Sequence, residues 1–286
     1  MSTISALPPE IIDLILDQLN IDDMLRLNYA SISRAFYFPV QKRRFNAINL
    51  SLRLTGTYTD IVPVTNLKSI LTTHPALGTC IRHLEIVLSP APPCATERFC
   101  CLLLMLTGLR TLRVRGSLQH KTIWDAPPLC STLPTILRLP TLSTVSFAMW
   151  PRCPRNILTS CVGVHELSLH EFVIVNTDSS IGRVELGIKQ LNIHVAESVN
   201  TVRSLYGALV HPTSCIQFVR LHTLHIHGIR DKIIMQDSYN LIRFLSKGGS
   251  LRTLSLSLVN CKYSSACTYS SAYSNLTSHI TGQFDG

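Results

Sequence analysis

The sequence predicts a two-part α/β chain: a small helical module at the N-terminus, then an irregular array of strand-and-helix units. Three observations predict it. Residues 7–34 carry aliphatic side chains at helical spacing. A seven-residue motif, aliphatic at positions 1 and 4 and apolar at position 6, recurs seven times between residues 81 and 259. Segments of helical periodicity lie between several of its copies. With 46% hydrophobic and only 15% charged residues over 286 positions, the chain has the composition of a folded protein with a sizeable core, not of a disordered one.

In chain order, LPPEIIDLILDQLNIDDMLRLNYASISR (7–34) comes first. Pro8, Pro9 and Glu10 suit a first helical turn, where proline loses no intrahelical bond and a carboxylate complements the helix dipole. Ile11, Ile12, Ile15, Leu16 and Leu19 then form one apolar stripe along a helix from Pro8 to Leu19, with Asp13 and Asp17 off the stripe and facing water. Asn20 is placed to close this helix, and Asp22 to cap a second one through Met24, Leu25 and Leu27. Two or three short helices in about forty residues cannot bury that much apolar surface alone. They need the rest of the chain or another protein.

Leu7-Pro8-x-Glu10-Ile11, then Ile15-Leu16, Leu19, Asp23, Leu25 and Leu27, then Ser33-Arg34, resemble an F-box over residues 1–45. The resemblance implies a three-helix module that docks on the Skp-type adaptor of a cullin–RING ubiquitin ligase. It implies that Leu7, Pro8, Ile11, Ile15, Leu16, Leu19, Met24 and Leu27 carry the contact. The pattern departs from an F-box near its end, where Ser33-Arg34 arrives late and no tryptophan follows. Without the resemblance, the stripe reads as an ordinary amphipathic hairpin at the start of a globular domain.

Gln41-Lys42-Arg43-Arg44 reads as a solvated helix end, or else as a short localisation signal. Residues 46–80 are expected to be a linker with a strand at Ile48–Leu54, where apolar and polar residues alternate, and a short helix at Asn66–Leu77 broken at Pro75. The motif series follows: IRHLEIV (81–87), LRTLRVR (109–115), LSTVSFA (142–148), VHELSLH (164–170), IKQLNIH (188–194), LHTLHIH (221–227) and LRTLSLS (251–257). Its fourth positions are separated by 28, 33, 22, 24, 33 and 30 residues.

The series resembles an irregular leucine-rich repeat, L-x-x-L-x-L, over residues 81–259. Return helices are expected at Thr96–Leu106 (capped by Thr96), Val199–Val210 and Asp237–Lys247, the last stopping at Gly248-Gly249. Ser117–Cys130 and Gly228–Ile234 are expected to be loops, and the Ser- and Tyr-rich tail over 260–286 has hardly any periodicity. The fold class expected is therefore α/β, an F-box-like module followed by a leucine-rich-repeat solenoid. The rival is an α/β domain with a parallel sheet.

With positions 1, 4 and 6 inward, positions 3, 5 and 7 face outward. Position 5 holds Glu85, Arg113, Ser146, Ser168, Asn192, His225 and Ser255; position 7 holds Val87, Arg115, Ala148, His170, His194, His227 and Ser257. Position 2 reads Arg82, Arg110, Ser143, His165, Lys189, His222 and Arg252, a basic rim suited to an acidic or phosphorylated target segment, or to keeping hydrophobic strands from aggregating. Arg82, Arg110, Arg113, Arg115, His170, His194, His225, His227 and Arg252 are thus the target-facing candidates. A merely solvated face has the same composition. His170, His194 and His227 share one column without a cysteine or carboxylate, so a metal is not expected there; their mutual repulsion when protonated allows a pH-sensitive surface.

Five carboxylates against two arginines give residues 1–40 a net charge of −3, so with +9 overall the remainder carries +12. A basic domain favours acidic partners. The longest apolar run, Phe99–Leu106, is far too short to span a bilayer. The N-terminus lacks a basic flank before an apolar core, so an intracellular chain with reduced cysteines is expected. No catalytic or phosphate-binding motif stands out, and neither enzymatic activity nor a cofactor is expected. The repeats are similar to those of the fungal class of F-box proteins, which are often degenerate. The resemblance implies a substrate-recognition subunit of a Skp–cullin–F-box type ubiquitin ligase. The alternative is a basic repeat scaffold that binds acidic proteins or nucleic acid without a ligase.

Overall fold

The computed structural model describes residues 7–18, 34–52, 62–88, 93–116, 127–175, 184–195, 200–210, 216–229, 232–247, 249–259 and 277–283. Among the described residues two helices come first, α1 (Pro9–Asp17) and α2 (Arg34–Arg44). Pro8 caps α1 through its carbonyl, which accepts from Ile11 N–H at 3.0 Å and Ile12 N–H at 3.2 Å. The helix stops at Asp17, earlier than its periodicity predicts; Leu19, Asn20, Asp22, Met24 and Leu27 lie outside the described residues.

The apolar stripe of α1 splits in two. Ile12 and Leu16 are buried with Phe36 and Val40 of α2 in a separate small core. Leu7, Ile11, Leu14 and Ile15 remain exposed, at 36%, 40%, 60% and 41%. Asp13 and Asp17 do face water, but both meet one cation: Arg43 on α2 reaches Asp17 at 2.6 Å and Asp13 at 3.5 Å, and donates to the Asp13 carbonyl at 2.9 Å. The basic run at 41–44 therefore contributes a clamp between the helices.

The rest of the described chain is mixed α/β around a mostly parallel sheet. Its strands are β1 (Ala47–Leu52), β2 (His83–Leu88), β3 (Thr111–Arg115), β4 (Thr144–Pro154), β5 (Glu166–Val175), β7 (Gln190–His194), β9 (Thr223–Ile229), β10 (Thr253–Val259) and β11 (Thr277–Gln283), in that spatial order. Only β11, from the tail, runs antiparallel, along β10. β6 (Val184–Leu186) and β8 (Ile216–Phe218) form a separate parallel pair. Residues 46–80, expected as a linker, supply the first strand of the sheet, because β1 pairs with β2.

The seven motifs occupy seven neighbouring strands in a single register. Leu84, Leu112, Val145, Leu167, Leu191, Leu224 and Leu254 face one another in sequence across the sheet. A backbone ladder at position 2 fixes this register. The carbonyls of Arg82, Arg110, Ser143, His165, Lys189 and His222 each accept N–H groups from positions 2 and 3 of the next motif, at 2.7–3.0 Å. Asn46 does the same ahead of the first motif. Strand side chains alternate in direction, so a fixed register forces every motif to bury the same positions. Positions 1, 4 and 6 are buried through the sixth motif; in the last, Leu254 and Leu256 are half-buried against the core.

Helices cover that face: α3 (Val62–Thr73), α4 (Pro93–Leu104), α5 (Pro127–Leu137), α6 (Arg155–Thr159), α7 (Asn200–Val210) and α8 (Lys232–Ser246). Leu71, Phe99, Leu133, Leu158, Leu205 and Leu241 from these helices join the strand residues in one core. Several boundaries differ from those expected. The first of these helices starts at Val62, and Pro75 opens a short 3-10 turn. α4 begins at Pro93, which leaves Thr96 buried inside the helix, not capping it. The last four residues of the segment expected as the loop Ser117–Cys130 belong to α5, which forms although it carries prolines in its first turn and at Pro134, where prolines normally break helices; residues 117–126 lie outside the described residues. Gly228 and Ile229 extend β9, and α8 starts at Lys232, so Gly228–Ile234 is not simply a loop. Among the described residues no helix is long and apolar enough to cross a membrane.

Candidate functional site

Parallel sheets usually bury both faces. Here positions 3, 5 and 7 leave the second face half-exposed over most of its width, until Ser255 and Ser257 are buried on β10. Every side chain on this face is addressed by strand and register, with neighbouring strands about 4.8 Å apart. Arg113 and Arg115 are exposed on β3, and His170, His194, His225 and His227 are half-buried on β5, β7 and β9. Beside the histidines, Asn192 Nδ2 donates to Glu166 Oε1 at 3.2 Å and to Ser168 Oγ at 3.1 Å, which fixes the polar surface at positions 3 and 5.

Register makes His170, His194 and His227 a column. The His170 and His194 rings stack at 3.7 Å between centroids and 6° between planes, and His194 and His227 at 4.7 Å and 21°. Burial, the charges of neighbouring His170, His227 and His225, and their close spacing hold His194 down to about 4. His170 is lowered too, by burial first, then by His227 and Arg115. At neutral pH both imidazoles are uncharged, which is the state in which they stack without repulsion.

On the other side of His170 the column is interrupted. Its register partner on β4 is Ala148, and the partner of Ala148 on β3 is Arg115. With only Ala148 and Ser146 rising from β4, a hollow of about 350 Å³ opens, lined by Arg115, Ser146, Ala148, Met149, His170, Glu171 and His194. A smaller hollow of about 210 Å³ lies at the other end of β2 and β3, between His83, Glu85, Thr111 and Arg113.

The floor and end of the larger hollow come from a change of strand direction. Met149 (φ 58°) and Glu171 (φ 47°) both adopt the left-handed conformation, immediately after the motif. Non-glycine residues there carry strain of about 1–3 kcal/mol, which surrounding packing must offset. It is offset inside: the shift turns Trp150 and Phe172 inward, where they meet Phe147 at 5.4 and 5.6 Å. The extended β5 runs past the end of β7, so its N–H groups turn to α7: Phe172 donates to Thr201 Oγ1 at 3.2 Å and Ile174 to Ser204 Oγ at 3.1 Å. Gly228 is left-handed at the same motif-relative place (φ 87°) and touches the Val195 carbonyl so closely that a Cβ would sit 2.2 Å from its oxygen. Glu171 lines the hollow, and its Oε2 is buried and, among the described residues, has no hydrogen-bond partner.

Arg82 (half-exposed), Arg110 and Arg252 lie just before their strands, along the edge where the position-2 ladder runs. Arg113, Arg115 and the four histidines share the open face, and only Arg115, His170 and His194 line one hollow. In the helix pair, Leu7, Pro8, Ile11 and Ile15 are exposed, but Leu16 is not available to a partner, because it fills the α1–α2 core at 1% exposure. Leu14, passed over in the sequence, takes its place on the outer row; its spacing from Leu7 and Ile11 carried that signal. Glu171 and Met149 were missed because they follow the motif, where alternation alone gives no reason to expect a left-handed backbone.

Among the described residues no group of three or more His, Cys, Asp or Glu side chains could hold a metal ion. Burial pushes the Cys161 thiol up to about 12 and raises the Cys153 thiol well above its ordinary value, which makes both packing groups. Neither a protein-family model nor a curated protein matches the chain.

Proposed function

We propose that this chain is the target-recognition subunit of a Skp–cullin–F-box type ubiquitin ligase, acting inside the cell. The outer row Leu7, Ile11, Leu14 and Ile15 carries this reading. The α1–α2 pair satisfies its own small core and still presents these four aliphatic side chains on one side. A free-standing helix cap has no reason to do so, whereas an adaptor-binding F-box does. In this reading Arg43, held by Asp13 and Asp17, keeps α1 at the angle that displays the row.

The second half of the reading is a leucine-rich-repeat array whose open face holds the target. Three observations support it: strand order follows chain order, the seven motifs share one register, and the described helices contribute their buried side chains to the core on one face of the sheet. A doubly wound α/β domain would reverse its strand order and cover both faces. The chain itself does no chemistry in this scheme; it brings a target to the ligase. Purification of the tagged chain from its native cells tests both halves. Wild type should recover a Skp-type adaptor and a cullin, and Ile11→Ala with Ile15→Ala should lose both while keeping proteins held by the sheet. Recovery of neither ligase subunit by the folded wild-type chain would reject the proposal.

A further inference from the structure

The histidine column on the open face has one rung missing. Along position 7 the strands carry Arg115, Ala148, His170, His194 and His227 in register. His194 and His227 continue the stack on one side of His170. On its other side Ala148 fills none of the space, and the next strand brings Arg115. Two strand spacings separate the β3 and β5 backbones, about 9.6 Å, which is the room that one flat group needs between two others.

We propose that this gap is a slot for one aromatic side chain of the target, carrying a hydrogen-bond donor: a tryptophan or a tyrosine in an extended segment. The ring lies over Ala148 between the His170 imidazole and the Arg115 guanidinium, completing the stack. Its N–H or O–H donates to the carboxylate of Glu171, which lines the same hollow and whose buried Oε2 lacks a partner among the described residues. An unmet buried acceptor is costly, and a donor from the ligand removes that cost. Arg115 over the ring face adds a cation–π attraction, which is strongest for indole. The carboxylate of Glu171 also selects against a nucleotide, since a phosphate beside it would be repelled. Leu or Val would fill the space without stacking on His170 or reaching Glu171.

This proposal rests on the reading of the sheet as the target-binding part, but its test does not involve the adaptor, so the two fail separately. The full chain with ring-labelled histidine is titrated with N-acetyl-tryptophanamide, N-acetyl-tyrosinamide, N-acetyl-leucinamide and AMP, while the His170 ring signals are followed by NMR. Saturable shifts with the two aromatic amides and none with leucinamide are expected. Ala148→Phe places the chain's own ring in the slot and should abolish the response. Arg115→Ala, at an exposed position, tests the slot even if the filled variant folds poorly, and should weaken binding about two- to fivefold. No response of His170 to the aromatic amides, an equal response to leucinamide, unchanged binding by Arg115→Ala, or tighter binding of AMP would each overturn the proposal.

Discussion

Replacing Gly228 with alanine probes the stacking of the sheet at its tightest point. Two costs add there. The backbone is left-handed at φ 87°, where an L side chain carries about 1–3 kcal/mol of strain. The new Cβ would also lie 2.2 Å from the Val195 carbonyl oxygen and 3.2 Å from its carbon, so β9 must move away from the end of β7. Such overpacking costs about 1–3 kcal/mol, giving a total of about 2–6 kcal/mol. Gly249 supplies the internal control: its φ is 67°, but nothing lies within 4 Å of a Cβ there, so Gly249→Ala should show only the strain. Urea unfolding of both variants reads the difference as a shift in midpoint at constant slope. His227, next to Gly228, should also shift relative to His194 in Gly228→Ala. Equal stability loss in the two variants, or a loss below about 0.5 kcal/mol at Gly228, would refute the close approach.

Three other outcomes follow from the same geometry. Leu16→Ala should destabilise the helix pair by about 2–5 kcal/mol in thermal or chemical unfolding, because it leaves a cavity beside Ile12, Phe36 and Val40 in that small core; Ile15→Ala, on the outer row, should stay within about 0.5 kcal/mol. Stability should be full above the ordinary histidine pKa of 6.5 and fall progressively towards pH 4, because the unfolded chain takes up protons that folded His170 and His194 resist. Arg115, His225, His227 and Glu171 face the same groups, so the test is whether His194→Gln flattens that slope in pH-dependent unfolding curves. Thr201→Val strands the buried Phe172 N–H and should cost about 1–3 kcal/mol, measured by urea unfolding together with faster amide exchange at Phe172.

The strand half of the fold was legible because it rests on alternation, and alternation is a local property. Leu84, Ile86 and their counterparts in the next five motifs are buried as positions 4 and 6 require. The helices were less legible where sequence cues oppose the outcome. α5 forms despite Pro134, because its apolar side has a core to enter. The single stripe of α1 hid two faces, since Ile11 with Ile15 and Ile12 with Leu16 have the same spacing and only the position of α2 distinguishes them. The candidate hollow was half legible. The histidine column follows from position 7, but the gap depends on Ala148 standing beside it, and Glu171 enters through a left-handed turn that no periodicity encodes.

The most direct test of the proposed role is calorimetric titration of a purified Skp-type adaptor into the purified full-length chain. Ile11 and Ile15 are 40% and 41% exposed, so covering them contributes about 1.2–2.4 kcal/mol together, and truncating both to alanine should weaken binding about eight- to sixtyfold. Arg115→Ala, on the open sheet face, should bind the adaptor as wild type does. A wild-type chain that is folded yet shows no binding, or a folded Ile11/Ile15 double variant that binds equally well, would contradict the account.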